Sequence, residues 1–119
     1  MPRTSNTNEW PDELDALIAA PQYHSLLFEN DAVRVPDSNV LPGRTVPLHT
    51  HRWPSALCLL SWSDFVRRDG EGATIVDSRI AGSIPQGSAV WSGPLPPHTL
   101  EKVGESDLHA ITVELKTAK

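Results

Sequence analysis

At 119 residues and 13.0 kDa the chain has the size of one domain, near the common range of ~100–150 residues, and can bury a single core. A net charge of −5 excludes nucleic acid as the main partner, because neutralising phosphates needs clustered Lys and Arg. No apolar run approaches the ~18 residues of a membrane helix, and one cysteine, Cys58, leaves neither an intrachain disulfide nor a cysteine-built zinc site.

Residues 1–9 are polar and expected to fray. They hold no apolar stretch of signal-peptide type, so the expected location is the cytoplasm. Residues 11–20 read as one short helix: Asp12 and Glu13 favour its N-terminus, Leu14, Leu17 and Ile18 share a face, and Pro21 stops it. Beyond Pro21 the helical period gives way to short strands separated by turn residues. The expected strands are 23–29, 32–35, 40–41, 46–51, 55–61, 64–68, 73–78, 88–91, 97–103 and 108–116, with Pro36-Asp37-Ser38-Asn39 as an interruption. Arg67-Arg68, flanked by Asp64, Asp69 and Glu71, reads as part of a solvated turn. The last strand alternates, with His109, Ile111, Val113 and Leu115 on one face and Ala110, Thr112 and Glu114 on the other. Many short strands after one helix predict an all-β sandwich or barrel over residues 22–117, preceded by a tail and helix at 1–20.

Three histidines carry the chemistry. His49 and His51 follow the Leu41-Pro42-Gly43 corner, and on a strand residues two apart share a face about 6.6–6.8 Å apart. Imidazoles so placed can tilt onto one cation, since a Zn–N bond spans about 2.0–2.1 Å. His98 enters its strand through a similar corner, Gly93-Pro94-Leu95-Pro96-Pro97. Two such strands facing across a small barrel bring three imidazoles to one point, a donor set that suits Zn, Cu, Fe and Ni.

The run Gly43 to Trp62, with His49-Thr50-His51, resembles the first motif of the cupin superfamily, and Gly87 to Lys102 resembles the second. The two cover roughly residues 30–116, and the closest likeness is to short single-domain cupins. The resemblance implies a double-stranded β-helix, or jelly-roll barrel, often dimeric, with a divalent metal (Fe, Ni, Mn or Zn) in its mouth. This chain departs from the motifs at three places. Ser55 (or Ala56) stands where the family has its metal-binding Glu, Trp62 replaces a closing Gly, and Lys102 replaces an Asn. The implied ligand set is therefore His49, His51 and His98 alone.

Around that set, Trp53, Ser55 and Lys102 are the candidate pocket residues, with Leu57, Leu59 and Ser61 continuing the histidine face. Lys102 shares the face of His98 by alternation, although a strand that has left the barrel would send its amine to solvent. His24 and His109 lack partners in the pattern and are expected at the surface, a strand end or an interface. Trp62 and Trp91 are expected in core or dimer packing, Cys58 as an inert packed thiol. The exposed-side segment Leu26-Leu27-Phe28 suggests a homodimer. The expected function is a small-molecule metalloenzyme, dioxygenase-like or isomerase- or lyase-like, acting on a keto or enol compound. The rival expectation is a non-catalytic binding or sensing module without need of metal.

Overall fold

A computed structural model describes residues 10–116, so residues 1–9 of the expected tail and residue 117 of the expected barrel lie outside it. Nine strands form two sheets: β1 (His24–Glu29), β2 (Val33–Val40), β3 (Thr45–His51), β4 (Ser55–Ser61), β5 (Phe65–Asp69), β6 (Thr74–Asp77), β7 (Ala89–Ser92), β8 (Leu95–Lys102) and β9 (Leu108–Leu115). One sheet has the order β1-β2-β9-β4-β7 and the other β3-β8-β5-β6, and every paired strand is antiparallel. The all-β expectation holds. No described helix is long and apolar enough to cross a membrane.

The expected helix 11–20 divides into a 3-10 turn, Asp12–Leu14, and a short helix α1, Ala16–Ala19. Asp15 between them takes extended geometry (φ −51°, ψ 138°) and caps α1 by accepting from the Leu17 N–H at 3.2 Å. Its carboxylate also reaches Arg34 on β2, so a tertiary ion pair outweighs helical continuity at this residue. The Pro36–Asn39 interruption is also corrected, since β2 runs through it. Proline fits there because a bulge breaks the β1–β2 ladder between Leu26 and Phe28, where an N–H is not required. A further short helix, α2 (Ser78–Ala81), takes over from the expected strand end at 78, capped by the Asp77 carboxylate.

Ala20, Val40 and Val46 form a buried cluster with Tyr23, Leu100 and Leu108 packed against it, and Leu59, on the same sheet as Val40, is 2 % exposed. Burying each such Val or Leu contributes roughly 1.5–3 kcal/mol. β9 presents its polar side inward. Ala110 and Thr112 line the interior and Glu114 is 1 % exposed, while Ile111 and Val113 lie opposite Cys58 and Ala56 on the outer face.

Candidate metal centre

β3 aims its histidines by means of two irregularities. Val46 pairs with Leu100, His49 with His98 and His51 with Leu95, so the register slips once on each side of His49. A bulge re-aims a strand. Here it lets Val46 and His49, three apart, both face inward, and it sets His49 directly across from His98. Pro47, which has no N–H to lose, lies within the first slip.

Four histidines meet inside the barrel. His49 and His98 lie with ring centroids 4.2 Å apart, His49 and His51 4.9 Å, and His51 and His98 5.6 Å. The fourth is His24, the first residue of β1, 5.1 Å from His49 and 5.4 Å from His51. It stands at a strand end as expected, but it is 6 % exposed and faces the interior, not the surface or an interface. One nitrogen each from His24, His49 and His51 lie within 4.8 Å of one another, so the most compact donor trio includes His24, with His98 packed against His49. Nothing in the residue pattern marks His24. Its only sequence cue is the Pro21 turn that starts β1, and its neighbours His49 and His51 lie on β3 of the other sheet, brought near only by the fold.

The tautomers follow from the backbone. Nδ1 of His24 lies 3.0 Å from the Ala20 carbonyl oxygen, Nδ1 of His49 2.7 Å from that of Pro47, and Nδ1 of His98 2.7 Å from that of Pro96. A carbonyl oxygen only accepts, so each Nδ1 carries the proton and donates it, leaving Nε2 with the free lone pair. Burial, then His51, pushes His24 down to about 4. Burial, then His51 and His98, pushes His49 to about 2, and burial brings His98 to about 3. These rings are neutral at physiological pH. Three neutral imidazoles, each with a backbone-fixed outer nitrogen, match what a divalent metal requires of its ligands and their supports. Around one tetrahedral ion two ligand nitrogens sit about 3.4 Å apart, and the trio of His24, His49 and His51 has one nitrogen each within 4.8 Å of the others.

Behind His51 lies a buried ionic chain. The Glu114 Oε1 accepts from Arg34 Nε at 2.6 Å, and Arg34 holds Asp15 through two further hydrogen bonds of 2.8 and 3.0 Å. Burial pulls the Arg34 guanidinium down, but the hydrogen bonds to Asp15 and Glu114 raise it above its ordinary value. Glu114 Oε2 has no hydrogen-bond partner among the described residues and faces Nδ1 of His51 at 3.7 Å. Glu114 is the cross-strand neighbour of Ser55, so a carboxylate stands one strand away from the position where the motif lacks one.

A cavity of about 320 Å³ adjoins the four histidines. Ser55 lines it, with Leu57, Leu59, Leu100 and Leu108, as does Trp62, whose ring tilts against Phe65 at 5.8 Å. Trp53 and Lys102, both expected in the pocket, do not line it. The Trp53 ring covers the Arg34 guanidinium at 4.8 Å, outside the histidine cluster. Lys102 is 4 % exposed, but its Nζ turns to the Gly104 carbonyl oxygen, so it reaches neither cavity nor solvent. Burial pushes its ammonium down, opposed by Asp107, Asp64 and Glu105. Arg67, read from sequence as part of a solvated turn, instead lies on β5 and lines the cavity. His109 is paired with Asp37 at 2.8 Å, away from the centre.

No family model matches the chain, and no curated protein is similar to it. Solved structures are. A cupin domain from Bordetella pertussis Tohama I superposes with a TM-score of 0.63 at 15 % identity, covering 79 % of this chain and 92 % of that one. The fold is that of a cupin. An RmlC-like cupin from Methanocaldococcus jannaschii with a double-stranded β-helix gives 0.55 at 11 % identity, covering 77 % of both chains. A double-stranded β-helix protein from Klebsiella pneumoniae gives 0.55 at 15 % identity over 100 % of this chain and 95 % of its own. At such identities the likeness concerns the barrel. It places the four histidines within a cupin interior and leaves their chemistry to be argued from the residues.

Proposed function

We propose that this cupin-fold protein holds one divalent transition metal (Fe, Ni, Mn or Zn) through His49 and His51, with His24 and His98 completing the set, and transforms a small keto or enol compound in the adjoining cavity. The observation supporting it best is the shared tautomer of His24, His49 and His98, each with Nδ1–H spent on a carbonyl and Nε2 left as donor atom. His24 takes up the role of the missing motif carboxylate, which makes the donor set uncharged. When bound, the ion would supply Lewis-acid polarisation of a carbonyl or enolate oxygen or, as iron, chemistry with O2. The leucines of the lining limit water, Ser55 offers a hydroxyl, and the Glu114 carboxylate lies 3.7 Å from Nδ1 of His51.

Metal analysis of untagged protein tests the reading. Stoichiometric metal, lost in a His49→Ala, His51→Ala double variant, supports it, and O2 consumption or isomerisation with diketones and catechols then tests turnover. A stable apoprotein whose Tm ignores all four metals overturns it. The second reading, a non-catalytic binding or sensing module, is favoured by one observation: among the described residues no Asp or Glu lines the cavity to act as carboxylate base. Metal uptake without turnover would select it. We also propose a homodimer through the outer sheet face, where Trp91 is 63 % and Leu27 56 % exposed. Light scattering that gives a monomer mass at micromolar concentration would exclude the dimer.

A further inference from the structure

We propose that Arg67 forms an anion subsite beside the histidines and that the cavity's ligand is a small monocarboxylate with an apolar tail. The subsite deepens the function proposed above, because it takes this cavity as the ligand site and names the charge of what enters. On β5, Arg67 pairs with Leu100, two residues from His98 along β8, which sets its side chain on the same inward face. Its guanidinium carbon lies 5.6 Å from the centre of the Phe65 ring. Nε is buried with no hydrogen-bond partner among the described residues, and burial pushes the group below its ordinary value with no acid to offset it.

Among the described residues Arg44 also holds no carboxylate, but it is exposed, whereas Arg67 lines the cavity. Arg34, Arg52, Arg68 and Arg79 each hold a carboxylate at 2.8 Å. Among the described residues Arg67 is the one Lys, Arg, Asp or Glu in the cavity lining, with the Phe65 ring and its cross-strand partner Leu100 beside it. A desolvated guanidinium without a counter-ion is costly, and a planar carboxylate matches its fork bidentately. The buried acids Asp15 and Glu114 are not among the residues that line the cavity, so they do not pair with Arg67 there. On the facing sheet Leu57, Leu59 and Leu108 offer hydrocarbon and Ser38, Ser55, Ser92 and Thr112 neutral hydroxyls, which fits an aliphatic or aromatic tail and supplies no partner for a second charge.

Titration calorimetry with 4-methyl-2-oxopentanoate and 3-phenylpropanoate, their methyl esters and inorganic phosphate tests this, on metal-free and zinc-loaded protein. The acids should bind wild type, with the esters at least tenfold weaker. Arg67→Met should weaken the acids by roughly 10- to 100-fold and leave the esters unchanged, as expected for loss of hydrogen bonds to a charged group. Arg67→Lys should fall between. No binding by either acid, equal affinity for acid and ester, or undiminished affinity in Arg67→Met would overturn the proposal, and phosphate binding as tightly as the acids would overturn the carboxylate class. The ester comparison uses wild type alone, so a misfolded variant cannot blur it. Acid selectivity in metal-free protein isolates Arg67, whereas metal uptake in His49→Ala, His51→Ala protein isolates the histidines, so either reading can fail alone.

Discussion

Removing the Glu114 carboxylate tests whether the buried ionic chain supports the barrel. Glu114 and Arg34 side chains are 1 % and 8 % exposed and meet at 2.6 Å, while Asp15 holds the other side of the guanidinium. Cutting one partner from a buried pair costs about 3–5 kcal/mol. Asp15 remains to neutralise Arg34, so Glu114→Ala belongs at the low end, about 3 kcal/mol. Glu114→Gln keeps the shape and one acceptor, and exchanges a charge-assisted hydrogen bond for a neutral one at about 1 kcal/mol. Arg34→Met should be the worst, because it leaves Asp15 and Glu114 facing each other without a cation. For a chain of this size 1 kcal/mol moves Tm by about 4 °C, giving drops of about 4 °C for Gln and about 12 °C for Ala. Urea unfolding of metal-free protein at pH 7.5 provides the free energies. An Ala variant within 0.5 kcal/mol of wild type, or Arg34→Met milder than Glu114→Gln, would refute the reasoning.

Three further outcomes are expected. The neutral histidines make the metal-free protein acid-sensitive. Folded His24, His49 and His98 titrate at about 4, 2 and 3, below the unfolded value of about 6.5, so only the unfolded chain gains their protons between roughly pH 6.5 and 4. Stability is therefore complete above about pH 6.5 and falls by up to ~1.4 kcal/mol per pH unit per histidine below it. A urea midpoint that stays level from pH 7 to 5 would contradict this. Gly104→Ala should cost about 1–3 kcal/mol, since a Cβ there would press on Ser63 Oγ and lie 2.7 Å from the Asp64 nitrogen; a thermal melt unchanged from wild type would count against that packing. His24→Ala should lower metal affinity by more than ~10-fold, the scale on which even supporting residues act, and at least as much as His98→Ala, as measured by chelator competition.

The strands and the His49–His51 pair were legible because both depend on spacing of two along one segment. The second motif likewise put His98 near them. His24 was not, because its partners are brought up by β3 and no local period connects it to them. Arg67 was misread for a related reason. Its neighbours in sequence are acids, but on β5 Arg68 points outward to Glu101 while Arg67 points in. The β9 alternation was read correctly in period, but composition alone assigns an Ile-Val face to the interior. In the fold that face is the outer one, and the interior takes Ala110, Thr112 and Glu114, because their side of the strand meets the cavity and Arg34.

Ser55 and Glu114 together explain how a cupin fold can lack the motif carboxylate without leaving its centre unsupported. They are cross-strand partners, so a carboxylate at one position and a hydroxyl at the other fill the same part of the inner sheet. Had the acid remained at Ser55 it would line the cavity. At Glu114 it does not: one oxygen is committed to Arg34 and the other faces the outer nitrogen of His51. The negative charge thus lies beside His51, 3.7 Å from its Nδ1, and not among the side chains that line the cavity. A cavity whose own acids are all behind its walls and whose one lining charge is Arg67 leaves the balancing charge to the ligand. With the acid one strand away at Glu114, the proposed donor set is uncharged and the proposed ligand supplies the negative charge.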